Sequence, residues 1–362
     1  MRWFFGLLAA TVIAKRPSKE ENAAEPAAEA PPAPEPPAIE KPLSNPRNYA
    51  IKLLGTCTAT GKDLVGRDQA TPSEYTYSLY GKGGLAVGQA ISVGPPEDFM
   101  KYIPGNRPID VLKLLPVGAL EVARTYAHRS SYQALDAAKM QVTFDKTYRN
   151  FYLGVDRQIL VTDGPTFTTR EMANQIPAEL RFGRFRFVDG SEGATGQEDG
   201  IYGLMDRAVG SLVEARVALD LLNCGWVDAG LAPSHWLDLY AGVETGIFAT
   251  YELRYYMMQY MAWGEEYHRD VMGAIWGNKP LWQTWAEIDT RLAAVEADYA
   301  TIGGGLLAQI AAKGTVAEWN ERQIRIGEDG RGRYADQKER LRIVMGLPPL
   351  KEQVDKAAAA AK

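Results

Sequence analysis

At 362 residues, with 46% hydrophobic and 23% charged side chains, the chain has the composition of a folded protein with room for one large domain or two ordinary ones. A formal net charge of −5 gives no electrostatic reason to bind nucleic acid. Two cysteines, Cys57 and Cys224, exclude a zinc cluster and allow at most one disulfide, and three histidines, His128, His235 and His268, are too scattered for a His-based metal site.

Residues 1–16 hold an apolar leader, Trp3–Ala14, followed by Lys15 and Arg16. A spanning helix needs about 20 apolar residues, so this run is too short for one. Arg2, the apolar core and the Val12-Ile13-Ala14 ending fit a secretory signal or anchor. The alternatives are a greasy terminus buried against a partner or a membrane interface, and an organelle signal, against which Glu20 and Glu21 count. Residues 17–46 are almost wholly Pro, Ala and Glu. Proline blocks helices and sheets, and few large apolar groups are present to offset ordering entropy. The stretch therefore reads as an extended, semi-rigid linker rising about 3.1 Å per residue in its polyproline parts.

Residues 47–199 read as a mixed α/β region of short elements. Glu74–Tyr80 alternates Tyr75, Tyr77 and Leu79 with polar neighbours, and Gly81-Lys82-Gly83-Gly84 turns it into Leu85–Val93, a β-hairpin. Helical pieces are expected near Pro96–Ile103, Ile109–Leu115, Ala119–His128 and Tyr132–Met140. Strands are expected at Gln141–Phe144, Asn150–Val155 and Gln158–Thr162. The run Leu180-Arg181-Phe182-Gly183-Arg184-Phe185-Arg186-Phe187 predicts a strand with a bulge at Gly183. Its arginines then share one face, most simply a solvated one and alternatively a surface for an anion or a partner. The Gly-rich stretch Gly190–Gly200 marks the expected domain boundary.

Residues 200–350 read as helical. Ile201, Met205, Ala208, Leu212, Ala215, Leu219 and Leu222 step by four and three. Leu281, Trp285, Ile288, Leu292, Val295, Tyr299 and Ile302 repeat that rhythm, which favours coiled-coil-like packing. Between them a long helix capped by Ser234 is expected from about Trp236 to Trp276, apolar on nearly every face around Tyr255–Trp263 and so buried all round. The two flanking helices would lie along its two halves as a three-helix unit. Gly303-Gly304-Gly305 should end the third helix; Thr315 with Glu318 forms a capping box for a shorter one through Ile326. A last helix over Tyr334–Met345 stops at Gly346 and Pro348-Pro349, and residues 351–362 read as a disordered Ala/Lys tail.

Candidate chemistry is sparse. Glu265 and His268 stand three apart, a helical metal-ligand spacing, but no second such pair follows; a polar layer of Arg254, Glu265 and His268 is the simpler reading. The stretch Gly55–Lys62 mimics a phosphate loop but has five residues between its glycines and Asp63 where Ser or Thr is needed. No cofactor motif is present. Glu265, Glu266, Asp270 and Glu287, set among Trp263, Trp276, Trp282 and Trp285, suit a glycan hydrolase with paired carboxylates. The expected fold is α+β, a small mixed region followed by a mainly helical half. The function favoured is a non-catalytic structural or assembly subunit of a larger membrane-associated complex. It is expected to be tethered by its N-terminus, to have protein subunits as partners, and to be exported to a bacterial envelope rather than an organelle membrane. An exported glycan-acting hydrolase is the alternative.

Overall fold

The computed structural model describes residues 41–80, 86–143, 146–191, 197–224, 233–312 and 334–362. The leader, most of the linker, the turn at 81–84 and the helix expected at 315–326 lie outside them. The described chain is mainly helical with two small two-stranded antiparallel sheets.

α1 (Pro46–Cys57) begins where the Pro-rich linker ends. The Asn45 side chain accepts from the Asn48 amide at 2.9 Å, and Pro46 supplies a preset φ in the first turn. α2 (Ala59–Ala70) follows after Thr58, whose hydroxyl accepts from the Gly61 amide at 3.1 Å and donates to Asp220 at 2.7 Å. The phosphate-loop mimic is thus a helix–helix junction. Little in the sequence marks either helix, because α1 buries only Ala50, Leu53 and Leu54, and α2 only Gly61, Leu64 and Asp68.

β1 (Glu74–Tyr80) and β2 (Ala86–Ser92) pair as the expected hairpin, from Glu74 opposite Ser92 to Tyr80 opposite Ala86. A single 3-10 turn, Phe99–Tyr102, replaces the first helical piece. The next two pieces are one helix, α3 (Pro108–Arg129), running through Pro116. Pro116 removes one backbone bond, yet Ile109, Leu112 and Leu115 before it and Ala119, Val122 and Ala123 after it are all buried, so packing offsets the loss. After α4 (Ser131–Ala137), residues 141–143 form no strand; the Thr143 amide donates to the Tyr148 hydroxyl instead. β3 (Tyr148–Gly154), buried along its whole length, pairs with β4 (Arg157–Thr162).

Residues 180–187 are not a strand. A 3-10 turn at Ala178–Leu180 leads through further turns into α5 (Arg186–Asp189), a single helical turn. The segment satisfies its backbone on side chains rather than on a neighbouring strand. The Arg184 amide donates to Glu252 at 2.8 Å and the Phe182 amide to the Tyr256 hydroxyl at 3.4 Å. Phe182 and Phe185 pack edge-on against Phe248 and Tyr256.

The C-terminal half comprises α6 (Gly200–Asn223), α7 (Pro233–Tyr267), α8 (Arg269–Trp276), α9 (Lys279–Ala312), α10 (Ala335–Met345) and α11 (Pro348–Ala360). All seven seam residues of α6 are buried, as are Leu281, Trp285, Ile288, Leu292 and Val295 of α9. α7 packs most extensively against α6 and also touches α3, α8, α9, α10 and α11, which buries Tyr255, Tyr256, Met257, Met258, Tyr260 and Met261 almost completely. Four expectations for this half need correction. Ser234 is inside α7, which starts at Pro233, and the long helix breaks at His268 (φ −135°), which leads into α8. α9 runs through its three glycines to Ala312; at Gly303 a Cβ would meet the Tyr240 ring at 2.9 Å, so glycine there admits α7 rather than ending α9. The supposed tail is α11: alanine is the best helix former, Pro348-Pro349 start a helix well, and Leu350, Gln353 and Ala357 are buried against neighbouring helices.

One core runs from Ala50 in α1 to Ala357 in α11, and residues Pro37–Lys362 cluster as one compact unit. The Cys57–Cys224 disulfide, with Cα atoms 5.3 Å apart, joins the end of α1 to the end of α6. Among the described residues no helix is long and apolar enough to cross a membrane.

α6 and α7 approach closely at Gly246, where a Cβ would stand 2.8 Å from both the backbone nitrogen and the Cβ of Ala215. Gly246→Ala is therefore expected to push the helices apart and cost about 1–3 kcal/mol in urea unfolding. Gly273→Ala in α8, where nothing lies within 4 Å, is expected to be neutral or to stabilise by up to about 1 kcal/mol. Equal effects at the two positions would refute this account of the crossing.

Candidate functional site

The C-terminal end of α7 and the start of α8 hold most of the residues that the sequence singled out, and the structure gives Glu265 and His268 separate partners. Glu265 accepts from the Trp276 indole at 2.6 Å and from Lys356 at 3.2 Å. His268 lies beyond the helix break. Its ring stacks on Phe167 at 4.2 Å, Phe167 stacks on Tyr260 at 3.8 Å, and His268 Nε2 lies 2.8 Å from a Glu171 carboxylate oxygen. Tyr260 closes this stack by donating to the Phe167 carbonyl and accepting from the Phe167 amide, both at 2.9 Å.

The Arg254–Glu265–His268 layer does not form, since Arg254 pairs with Asp289 at 2.6 Å and lies over Trp285. Glu266 and Asp270 are exposed. Glu287 faces Arg157 at 3.4 Å and Arg291 at 3.3 Å. Thus Glu265 and Glu287 serve separate cation sets, and none of four cavities of about 440–530 Å³ is lined by Glu265, Glu266, Asp270 or Glu287. Among the described residues no three His, Cys, Asp or Glu side chains gather closely enough to hold a metal ion.

The strongest electrostatics lie elsewhere, in buried pairs that join distant segments. Arg129 donates to the Asp68 carboxylate and to the carbonyls of Asp68, Thr71 and Gly94, stapling α2, the β2 exit and α3 together. Arg149 on β3 reaches Asp163 at 2.8 Å and Asp199 at 3.0 Å, with His128 Nε2 3.3 Å away. Burial pushes the Asp163 carboxyl up to about 6 against the pull of Arg149, and burial lowers His128. No local spacing announces these groups: Asp68 and Arg129 are 61 positions apart.

Glu252 is a further case. It is 1% exposed, accepts from the Tyr256 hydroxyl at 2.7 Å and the Arg184 amide at 2.8 Å, and burial pushes its carboxyl up to about 7. Its folded pKa therefore lies above the ordinary 4.5, so between those values the native state holds more protons than the unfolded one. Stability must then fall as pH rises through that window, by about 3 kcal/mol in total. Asp163 acts in the same direction between 3.8 and about 6. Glu252→Gln keeps an acceptor oxygen and removes the charge. Urea unfolding is expected to show it more stable than the parent near pH 8, indistinguishable near pH 4, and without the parent's slope between about pH 6 and 7. No protein-family model, no curated protein and no solved structure matches the chain.

Proposed function

We propose that the chain is a non-catalytic subunit of a larger membrane-associated assembly, held through its N-terminal leader and spacer. The observation that carries this reading is the order of segments: an apolar leader, a Pro/Ala/Glu spacer, then a body whose first helix ends in a cross-link to α6. A pull on the spacer enters the body at α1 and passes through Cys57–Cys224 into a helix of the core. Disulfides form and persist in oxidising compartments, which supports an exported protein of the bacterial envelope over a cytosolic one. Its partners are protein subunits that grip this body, with membrane contact through the leader. The α6, α7 and α9 seams are proposed to interlock in coiled-coil fashion, which makes the body stiff.

Deleting residues 2–40 tests the tether. Full-length protein is expected in the membrane fraction and the deletion variant in the soluble fraction, with the same thermal unfolding midpoint. A full-length chain found only in the soluble fraction would overturn the reading. Glu265→Gln, Glu266→Gln, Asp270→Asn and Glu287→Gln are expected to leave assembly intact. Glycan cleavage by the parent that one of these abolishes without unfolding would establish the hydrolase instead.

A further inference from the structure

The Cys57–Cys224 bond joins two helix ends, and both cysteines are only half-buried. Beside it lies a cavity of about 440 Å³. Leu153, Leu212, Val213 and Val295, all buried, form its apolar floor. Ala59 and Ala294, both exposed, stand at its opening. Among the described residues Cys57, and not Cys224, is on its wall. A water molecule takes up about 30 Å³ of liquid, so the space admits a thiol group with room to spare.

We propose that this cavity is a site of thiol–disulfide exchange, through which a dithiol reaches Cys57 and opens the cross-link while the body stays folded. One thiolate of the dithiol attacks Cys57 Sγ. The bond between the two cysteine sulfurs breaks, and Cys224 leaves with the electron pair as a thiolate. The second thiolate of the reagent then attacks the reagent's own sulfur in the mixed disulfide and displaces Cys57. The reagent ends as a disulfide, oxidised by two electrons, and Cys57 and Cys224 end as thiols carrying its two protons. Attack falls on Cys57 because exchange needs a nucleophile to come up to one sulfur, and the cavity leads to that one.

Opening the bond acts chiefly on α1. Two polar ties keep α2 in place after reduction: Thr58 donates to Asp220 at 2.7 Å, and Arg129 holds Asp68. α1 buries only Ala50, Leu53 and Leu54, and its last residue is the one cross-linked to α6. The reduced chain therefore keeps its body and loosens the helix that follows the linker. The site does not depend on the chain being tethered.

Dithiothreitol, a small dithiol, tests this on the full-length protein in native buffer, with free thiols trapped by alkylation and counted by mass spectrometry. Reduction is expected to rise in proportion to dithiothreitol and to outrun global unfolding, whose rate is measured separately by urea jumps. Ala59→Trp and Ala294→Trp place a ring in the opening from exposed positions, and each is expected to slow reduction about tenfold, a barrier of about 1.4 kcal/mol. Ala293→Trp, exposed on α9 but off the cavity wall, is expected to leave the rate unchanged. If one wall variant fails to fold, the other decides. Trypsin reads the consequence: cleavage at Lys52 in α1 is expected to quicken about tenfold in the reduced, alkylated protein, with Arg291 in α9 still protected. Absence of reduction, reduction at the unfolding rate whatever the dithiothreitol concentration, or a rate that neither wall variant slows overturns the site. Reduced protein cut at Lys52 no faster than the parent overturns the effect on α1.

Discussion

Arg129→Met is expected to destabilise the protein by about 3–5 kcal/mol, because it leaves the Asp68 carboxylate, 1% exposed, without its cation. The lost bonds do not end there. The carbonyls of Thr71 and Gly94 lose this donor as well, while the Asp68 carbonyl keeps the Thr71 amide, and an acceptor left unpaired away from water carries its own desolvation cost. Against a net stability of about 5–15 kcal/mol this is a large fraction, visible as a displaced urea midpoint. Burial already raises the Asp68 carboxyl, so acidification should reduce the variant's deficit as that carboxylate takes a proton. Adding Asp68→Asn should recover part of the loss, giving a double-mutant coupling that identifies the pair as its source. A loss below about 1 kcal/mol would show that the pair contributes no more than a surface bridge.

Replacing both Cys57 and Cys224 by serine is the second large effect, about 2–5 kcal/mol. The cross-link closes a loop with a sequence separation of 167, near the upper end of what loop entropy returns. The double serine variant should therefore unfold at lower urea with an altered m-value, since the unfolded chain it is compared with is less constrained. Reducing agent should bring the parent to the same midpoint and leave the variant where it is. A parent unaffected by reduction and replacement alike would remove the disulfide from both the stability of the body and the path by which a pull reaches α6.

The legible parts of this fold were those governed by local periodicity. The α6 and α9 helices, the β1–β2 hairpin and the β3–β4 strands each repeat a pattern within one segment, and each forms. What escaped depends on partners far along the chain. Residues 180–187 alternate like a strand but find Glu252 and Tyr256 in place of a neighbouring strand. α11 has few large apolar residues, yet the small face around Ala357 is what the neighbouring helices accommodate. The spacing of Glu265 and His268 was informative only while the helix was taken as continuous; the break at His268 sends the two side chains to Trp276 and Glu171. Likewise the cavity bordered by Arg124, Arg184, Arg186 and Arg207 draws on α3, α6 and the segment entering α5, and only its Arg184–Arg186 part was visible as a pattern in sequence.

The most direct test of the tethered-subunit account is native capture of the full-length chain from detergent-solubilised membranes, with the mass and composition of the captured species determined by mass spectrometry. The account predicts one complex well above the 39.8 kDa of the chain itself, with partner proteins at fixed ratio that persist through a second purification step. Recovery of the chain alone at its own mass would contradict it.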